Sequence, residues 1–269
     1  MYFEYNASAL GAGGVIERGP VTYTIPSLAS IALAPTGGEG RSVITDYYSQ
    51  ELAFSHAETR VSGRPGVNAK GEPSFTTWTY VQLRDVNIFD RVKIAEMGST
   101  VTSTRGFEED DDHPFELTIW YRDVTIDGRP CQPKIDLRLM GAARYADIAN
   151  TLNGARSAAT GNMAKLLKNR KPVHCSMVEH VEGLTPRPQK VVPVPGLGVV
   201  RFAELVLKPG RRRLNLLRFD FGLRAQQEGA MPNALMMAEG PFAEGLDSGV
   251  TGGSMTLGSG EGNGTPIGP

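Results

Sequence analysis

The sequence predicts a mainly β protein, an antiparallel β-sandwich or a related form of packed sheets, with a β-solenoid as the rival arrangement. Three observations carry this. The 32 glycines and 18 prolines in 269 residues punctuate the chain into many short elements. Between these breaks, runs such as "FTTWTYVQLRDVNIF" and "FELTIWYRDVTI" are rich in β-branched and aromatic residues. One of them also echoes: Arg84-Asp85-Val86 in "YVQLRDVNIF" returns as Arg122-Asp123-Val124 in "TIWYRDVTID".

Taken in order, "VTYTIP" and "LASIALAP" are short strands stopped by Pro26 and Pro35, and "PTGGEG" is a loop. In "QELAFSHAETRV", Leu52, Phe54 and His56 share one parity. After the loop "SGRPGVNAKGEPS", Trp78 and Tyr80 fall on one parity and Val81 and Leu83 on the other, so both faces of that strand are expected to be covered. "RVKIAEMGSTVTST" contributes Val92, Ile94 and Val101, and "FELTIWYRDVTI" and "PKIDLRLM" are further strands. Strict alternation puts Arg84 and Val86 on one face and Asp85 on the other. No base, nucleophile or metal ligand recurs at matched positions around the two Arg-Asp-Val copies. What recurs is alternation followed by a turn, and Asp127-Gly128 is a strong two-residue turn signal. The echo therefore reads as architecture, with Arg84, Arg122, Asp85 and Asp123 pairing across strands at exposed positions.

Composition changes at residues 141–171, which are rich in Ala and helix formers. Tyr145, Ile148, Ala149 and Leu152 share one helical face, so a helical hairpin inserted into the β protein is expected. "VVPVPGLGVVRFAELVLKPG" and "RRLNLLRFDFGL" resume the strands, with Pro193 and Pro195 suited to an edge. Residues 1–224 thus read as one β-rich domain. Residues 225–269 read as a Gly-rich C-terminal extension with too few large side chains to build a core, expected to be held by a neighbouring subunit.

Lys plus Arg is 28 and Asp plus Glu is 29, so no general field attracts nucleic acid or an anionic membrane. No apolar run approaches the roughly 20 residues of a membrane span. The start, "MYFEYNASALGAGG", has neither the basic nor the apolar region of a signal peptide. Cys131 and Cys175 make no disulfide framework and read as two small buried thiols.

Four clusters could carry chemistry. The carboxylates Glu108, Glu109, Asp110, Asp111 and Asp112 offer oxygen ligands for Ca²⁺, although the run lacks the alternation and glycine of a calcium loop and reads first as a solvated acidic loop. His174, Cys175 and His180 lie close in sequence, but neighbours on a strand point to opposite faces, so His174 is badly placed to activate Cys175. Their spacing also matches no familiar zinc arrangement. Lys165, Lys168, Arg170 and Lys171, then Lys208, Arg211, Arg212 and Arg213, form two basic clusters with few aromatics to stack bases. They are expected to meet the acidic loop of another copy and steer assembly. No catalytic residue and no cofactor beyond Ca²⁺ is expected.

The order "TTWTYVQLRDVNIFDRVKIAEMGSTVTST", "IWYRDVTIDGRPC" and "VVPVPGLGVVRFAELVLKPGRRRLNLLRFDFG" resembles the choice-of-anchor P type of bacterial surface domain, and "NASALGAGGVIERGPVTYTIP" fits its opening. The resemblance spans about two-thirds of the chain. It implies an exported, all-β, non-enzymatic surface domain. The function expected is structural, through protein–protein contacts in a self-assembling array, sheath or filament. The alternatives are an adhesion module binding carbohydrate or Ca²⁺, and a component of a virion or secretion apparatus.

Overall fold

The computed structural model of the chain describes residues 2–68, 70–106, 113–140, 144, 146–148, 173–184, 189–208, 211–222 and 252–267. In chain order the strands are β1 (Tyr2–Arg18), β2 (Val21–Leu28), β3 (Ile31–Ala32), β4 (Gly38–Tyr48), β5 (Leu52–Val67), β6 (Pro73–Ile88), β7 (Val92–Gly106), β8 (Phe115–Ile126) and β9 (Arg129–Ile135). A one-turn helix α1 (Leu137–Met140) follows, then β10 (Val173–Ser176), β11 (Val178–Glu182), β12 (Val191–Val194), β13 (Gly198–Lys208), β14 (Arg211–Phe221) and β15 (Gly252–Ile267).

These strands form two antiparallel sheets packed face to face, a sandwich and not a solenoid. One has eight strands in the order β10-β13-β14-β15-β1-β2, with β12 joined to β13 and β3 to β1. The other has seven, β11-β9-β8-β7-β6-β5-β4. The core lies between them: Val81, Leu83, Ile94 and Met97 from the second sheet meet Phe202, Leu205, Leu214 and Phe219 from the first, all buried. Each such side chain stabilises by about 1.5–3 kcal/mol through its removal from water. Pro193 lies on β12, which among the described strands pairs only with β13, so proline removes no ladder donor from a central strand.

The glycine-rich end is a central strand. β15 lies between β1 and β14 of its own chain, in continuous register with both, which corrects the expectation of a tail held by a neighbouring subunit. The reason is the spacing of Gly260, Gly262 and Gly264: every second residue, hence one face of a strand. That face meets the opposite sheet. A Cβ at Gly260 would sit 2.8 Å from Thr79 Oγ1, and one at Gly262 would sit 3.1 Å from Thr77 Oγ1. Ala9 and Ala7, paired with Gly260 and Gly262, continue the small-residue patch on β1. The strand lacks large side chains because the two backbones run close together there.

Each sheet also switches parity along a row that crosses its strands. In the seven-stranded sheet the row runs through Asp46, Ser55, Asp85, Ala95 and Asp123, positions missing from the ladders while the register on either side is kept. On alternate strands the residue has left-handed backbone: Asp46 at φ 54°, Asp85 at 52° and Asp123 at 50°. Core residues therefore stand three apart across the row, Leu83 to Val86 and Met97 to Ile94, and the two residues between them are not core. This corrects the alternation expected for Arg-Asp-Val. Arg84 and Asp85 are both exposed, and Val86 is the buried one. The echo does mark architecture. It is a device for changing faces without losing register.

The eight-stranded sheet carries the same device through Ala203 (φ 46°), Leu216, Gly258 (φ 64°), Gly11 and Ala29 (φ 47°). Side chains of the opposite sheet reach two carbonyls at these rows. Tyr121 Oη donates to Leu216 O at 2.6 Å and Thr59 Oγ1 donates to Ala29 O at 2.8 Å, tying the two sheets together across the core. Burial pushes the Tyr121 phenol up, which keeps its proton available for this bond.

The expected helical hairpin at 141–171 falls outside the described residues except for Arg144 and 146–148, where Ile148 is buried. Among the described residues, no helix is long and apolar enough to cross a membrane.

Candidate functional site

The richest surface is the outer face of the seven-stranded sheet. Parity on β6 sends Thr77, Thr79, Val81 and Leu83 inward and Trp78, Tyr80, Gln82 and Arg84 outward. Trp78 and Tyr80 stack with centroids 5.9 Å apart and planes 22° apart, and Tyr80 and Trp120 follow at 6.1 Å and 40°. Trp120 reaches across the outer face from β8 because its cross-strand partner on β7 is Gly98, and the indole occupies the volume a Cβ would need. The guanidinium of Arg60 lies over the Tyr80 ring at 5.6 Å. All three rings are half-buried, so part of each stays open to water.

Two carboxylates organise the charges around this row. Glu58 accepts from Arg41 Nε at 2.5 Å and Arg60 Nε at 2.7 Å. Burial opposes its ionisation, but the two arginines outweigh burial and leave its pKa at about 2. Glu96 accepts from Gln82 Nε2 at 2.8 Å, Trp120 Nε1 at 3.1 Å and Arg122 at 3.0 Å. The Gln82 hydrogen bond, above all, holds it below its ordinary value. Beside this network a depression of ≈ 510 Å³ is lined by Glu39, Arg41, Arg60, Ser62, Arg64 and Trp78. The face is a half-apolar platform whose polar groups are held by hydrogen bonds and ion pairs.

A second feature is the border formed by β4, which among the described strands pairs only with β5. Its other side is eleven residues of open backbone, Gly38–Tyr48, with Val43 and Tyr48 exposed at 39% and 84%. β2 forms the matching border of the other sheet, with Val21 and Tyr23 exposed, but it carries Pro26. β4 has neither proline nor lysine to discourage pairing.

The residues expected to carry function fall elsewhere. Glu108, Glu109, Asp110, Asp111 and Asp112 lie outside the described residues, as do Lys165, Lys168, Arg170 and Lys171 and the side chain of Arg211. Arg212 is not on the surface. It is buried between the sheets, donates to the His113 carbonyl at 3.0 Å and lies over the Phe115 ring at 5.5 Å. The parity of β14 sends it inward with Leu214, which corrects its place in a surface cluster. Arg213 points outward and pairs with Glu261 at 2.9 Å. His113, beside Arg212, is buried and held near a pKa of about 3 by burial and then by Arg212, Arg105 and Arg144. It hydrogen-bonds Ser103 Oγ at 2.7 Å.

The segment around Cys175 crosses between sheets. His174 and Cys175 are on β10 in the eight-stranded sheet and His180 is on β11 in the seven-stranded one. Cys131 and Cys175 are not bridged to each other, and burial pushes the Cys131 thiol up to about 11. Among the described residues no three His, Cys, Asp or Glu side chains gather as metal ligands. The aromatic row was half visible in sequence. Trp78 and Tyr80 share a parity, but Trp120 joins them only through the register that sets it over Gly98.

Residues 3–160 match the model of a family described as a domain of unknown function, DUF8256. The match covers β1 to β9 and α1 and stops before β10 to β15. No curated protein and no solved structure matches the chain. With more than half of its length matched, the chain belongs to the DUF8256 family.

Proposed function

We propose that this DUF8256 member is a non-catalytic structural domain that works through protein–protein contacts, with further copies of itself as the first partner. The observation that carries this reading is the open β4 border. The side of the eleven-residue β4 that faces away from β5, with exposed Val43 and Tyr48, offers main-chain donors and acceptors to an added strand. Two copies meeting β4 to β4 would extend the seven-stranded sheet through a two-fold axis, and the β2 border leaves a second place for growth. An exported surface setting, as an array, sheath or filament subunit, is consistent with such an edge.

Light scattering on the eluted protein tests this. The expected mass is a multiple of the 29.0 kDa chain mass. Val43→Lys should shift the population toward the monomer, because like charges brought opposite each other across an added strand pair repel. A wild-type chain that stays at one chain mass at high concentration would sink the reading.

A further inference from the structure

We propose that the aromatic row Trp78–Tyr80–Trp120 is a binding site for an extended, uncharged polysaccharide whose sugars are joined equatorially. Three neighbouring rings, with centroids 5.9 and 6.1 Å apart, form a short track across β6 and β7. The track is kept low by Gly98 and by the short side chains Thr100 and Thr102, which share the outer face. A pyranose presents axial C–H groups on its faces and hydroxyls around its rim. The two indoles suit the first, Tyr80 between them being covered by the Arg60 guanidinium, and the planar groups of Gln82, Arg84, Glu58 and Glu96 suit the second. An equatorially linked chain is flat and straight enough to lay successive sugars along a sheet.

The charges favour this occupant over the other two classes. Arg41, Arg60 and Arg122 are already committed to Glu58 and Glu96, so few cations remain to follow a phosphate backbone, which single-stranded nucleic acid requires. All three rings are half-buried and the Trp120 indole sits down over Gly98, so they offer no protruding anchor for a protein pocket. The three rings stand on β6 and β8, with β5 between them and the β4 border, and the titration reads sugar binding whatever the state of self-assembly.

The test is a tryptophan-fluorescence titration of the full chain with β-linked hexasaccharides of glucose, xylose and N-acetylglucosamine. Single-stranded DNA and heparin form parallel arms. At least one hexasaccharide should bind saturably with an affinity that does not change between low and high salt. Trp78→Ala should weaken it by about tenfold, the scale of one lost aromatic contact. Thr100→Arg keeps all three rings and the fold but fills the track, and it should abolish binding; an unchanged melting temperature separates this from unfolding. The proposal is overturned if none of the hexasaccharides binds, or if both variants bind like the wild type. It is also overturned if DNA or heparin alone binds and is released by salt.

Discussion

Asp85 and Asp123 do in mid-strand what strands ordinarily reserve for glycine. Left-handed backbone costs most L-residues roughly 1–2 kcal/mol, and aspartate tolerates it because a short polar side chain bonds locally. Asp85 does so through Ser55, whose Oγ donates to Oδ2 at 2.6 Å. Asp85→Asn should leave the denaturant midpoint nearly unchanged. Asp85→Val, β-branched and without that acceptor, should cost about 1–2 kcal/mol in an equilibrium unfolding curve. Equal stability of the two variants would show that the φ of 52° is not what selects aspartate here. The device leaves a trace in sequence. Two residues outside the core stand between core positions at Leu83-Arg84-Asp85-Val86, Phe54-Ser55-His56-Ala57 and Ile94-Ala95-Glu96-Met97. Reading with a fixed period of two hides it, because that period assumes each residue turns the chain over once.

At the scale of the element, β15 shows how composition misleads. Low hydrophobicity suggests a chain that cannot bury enough to fold, yet here the second sheet supplies the large groups and β15 supplies the clearance. The alternate glycines 260 to 264 were legible as one strand face. What sequence could not supply was the partner, since β1 lies at the far end of the chain and Thr77 and Thr79 lie in another sheet. Gly260→Leu should therefore destabilise by about 1–3 kcal/mol, the cost of overpacking a close contact, read as a lowered melting temperature. Ser259→Leu, on the opposite parity, should cost far less. If the two substitutions were equivalent, the close approach of the sheets at β15 would not be what the glycines serve.

For the whole molecule, the sandwich was legible from strand content and turns, while its division into sheets was not. The eight-stranded sheet is assembled from both ends of the chain, β1 to β3 and β10 with β12 to β15, around a seven-stranded sheet drawn mostly from the middle. Long-range pairing of this kind has no local signature. The family match ends at residue 160 and so includes β1 without β14 and β15. A fragment of residues 3–160 would present the inner face of the seven-stranded sheet to water. It should lack a cooperative thermal transition and bind a hydrophobic dye, where the full chain melts in one step. A sharp melt of the fragment would show that the matched region is a self-sufficient unit.

The pairing of Tyr2 with Ile267 has a mechanical meaning. Because β1 and β15 run antiparallel, tension applied at these two residues would pull the pair apart rung by rung from one end, the geometry in which hydrogen bonds yield in turn. A stress-bearing fibre built from this domain would do better to carry load along β4, where a partner strand would have to slide and break many bonds together.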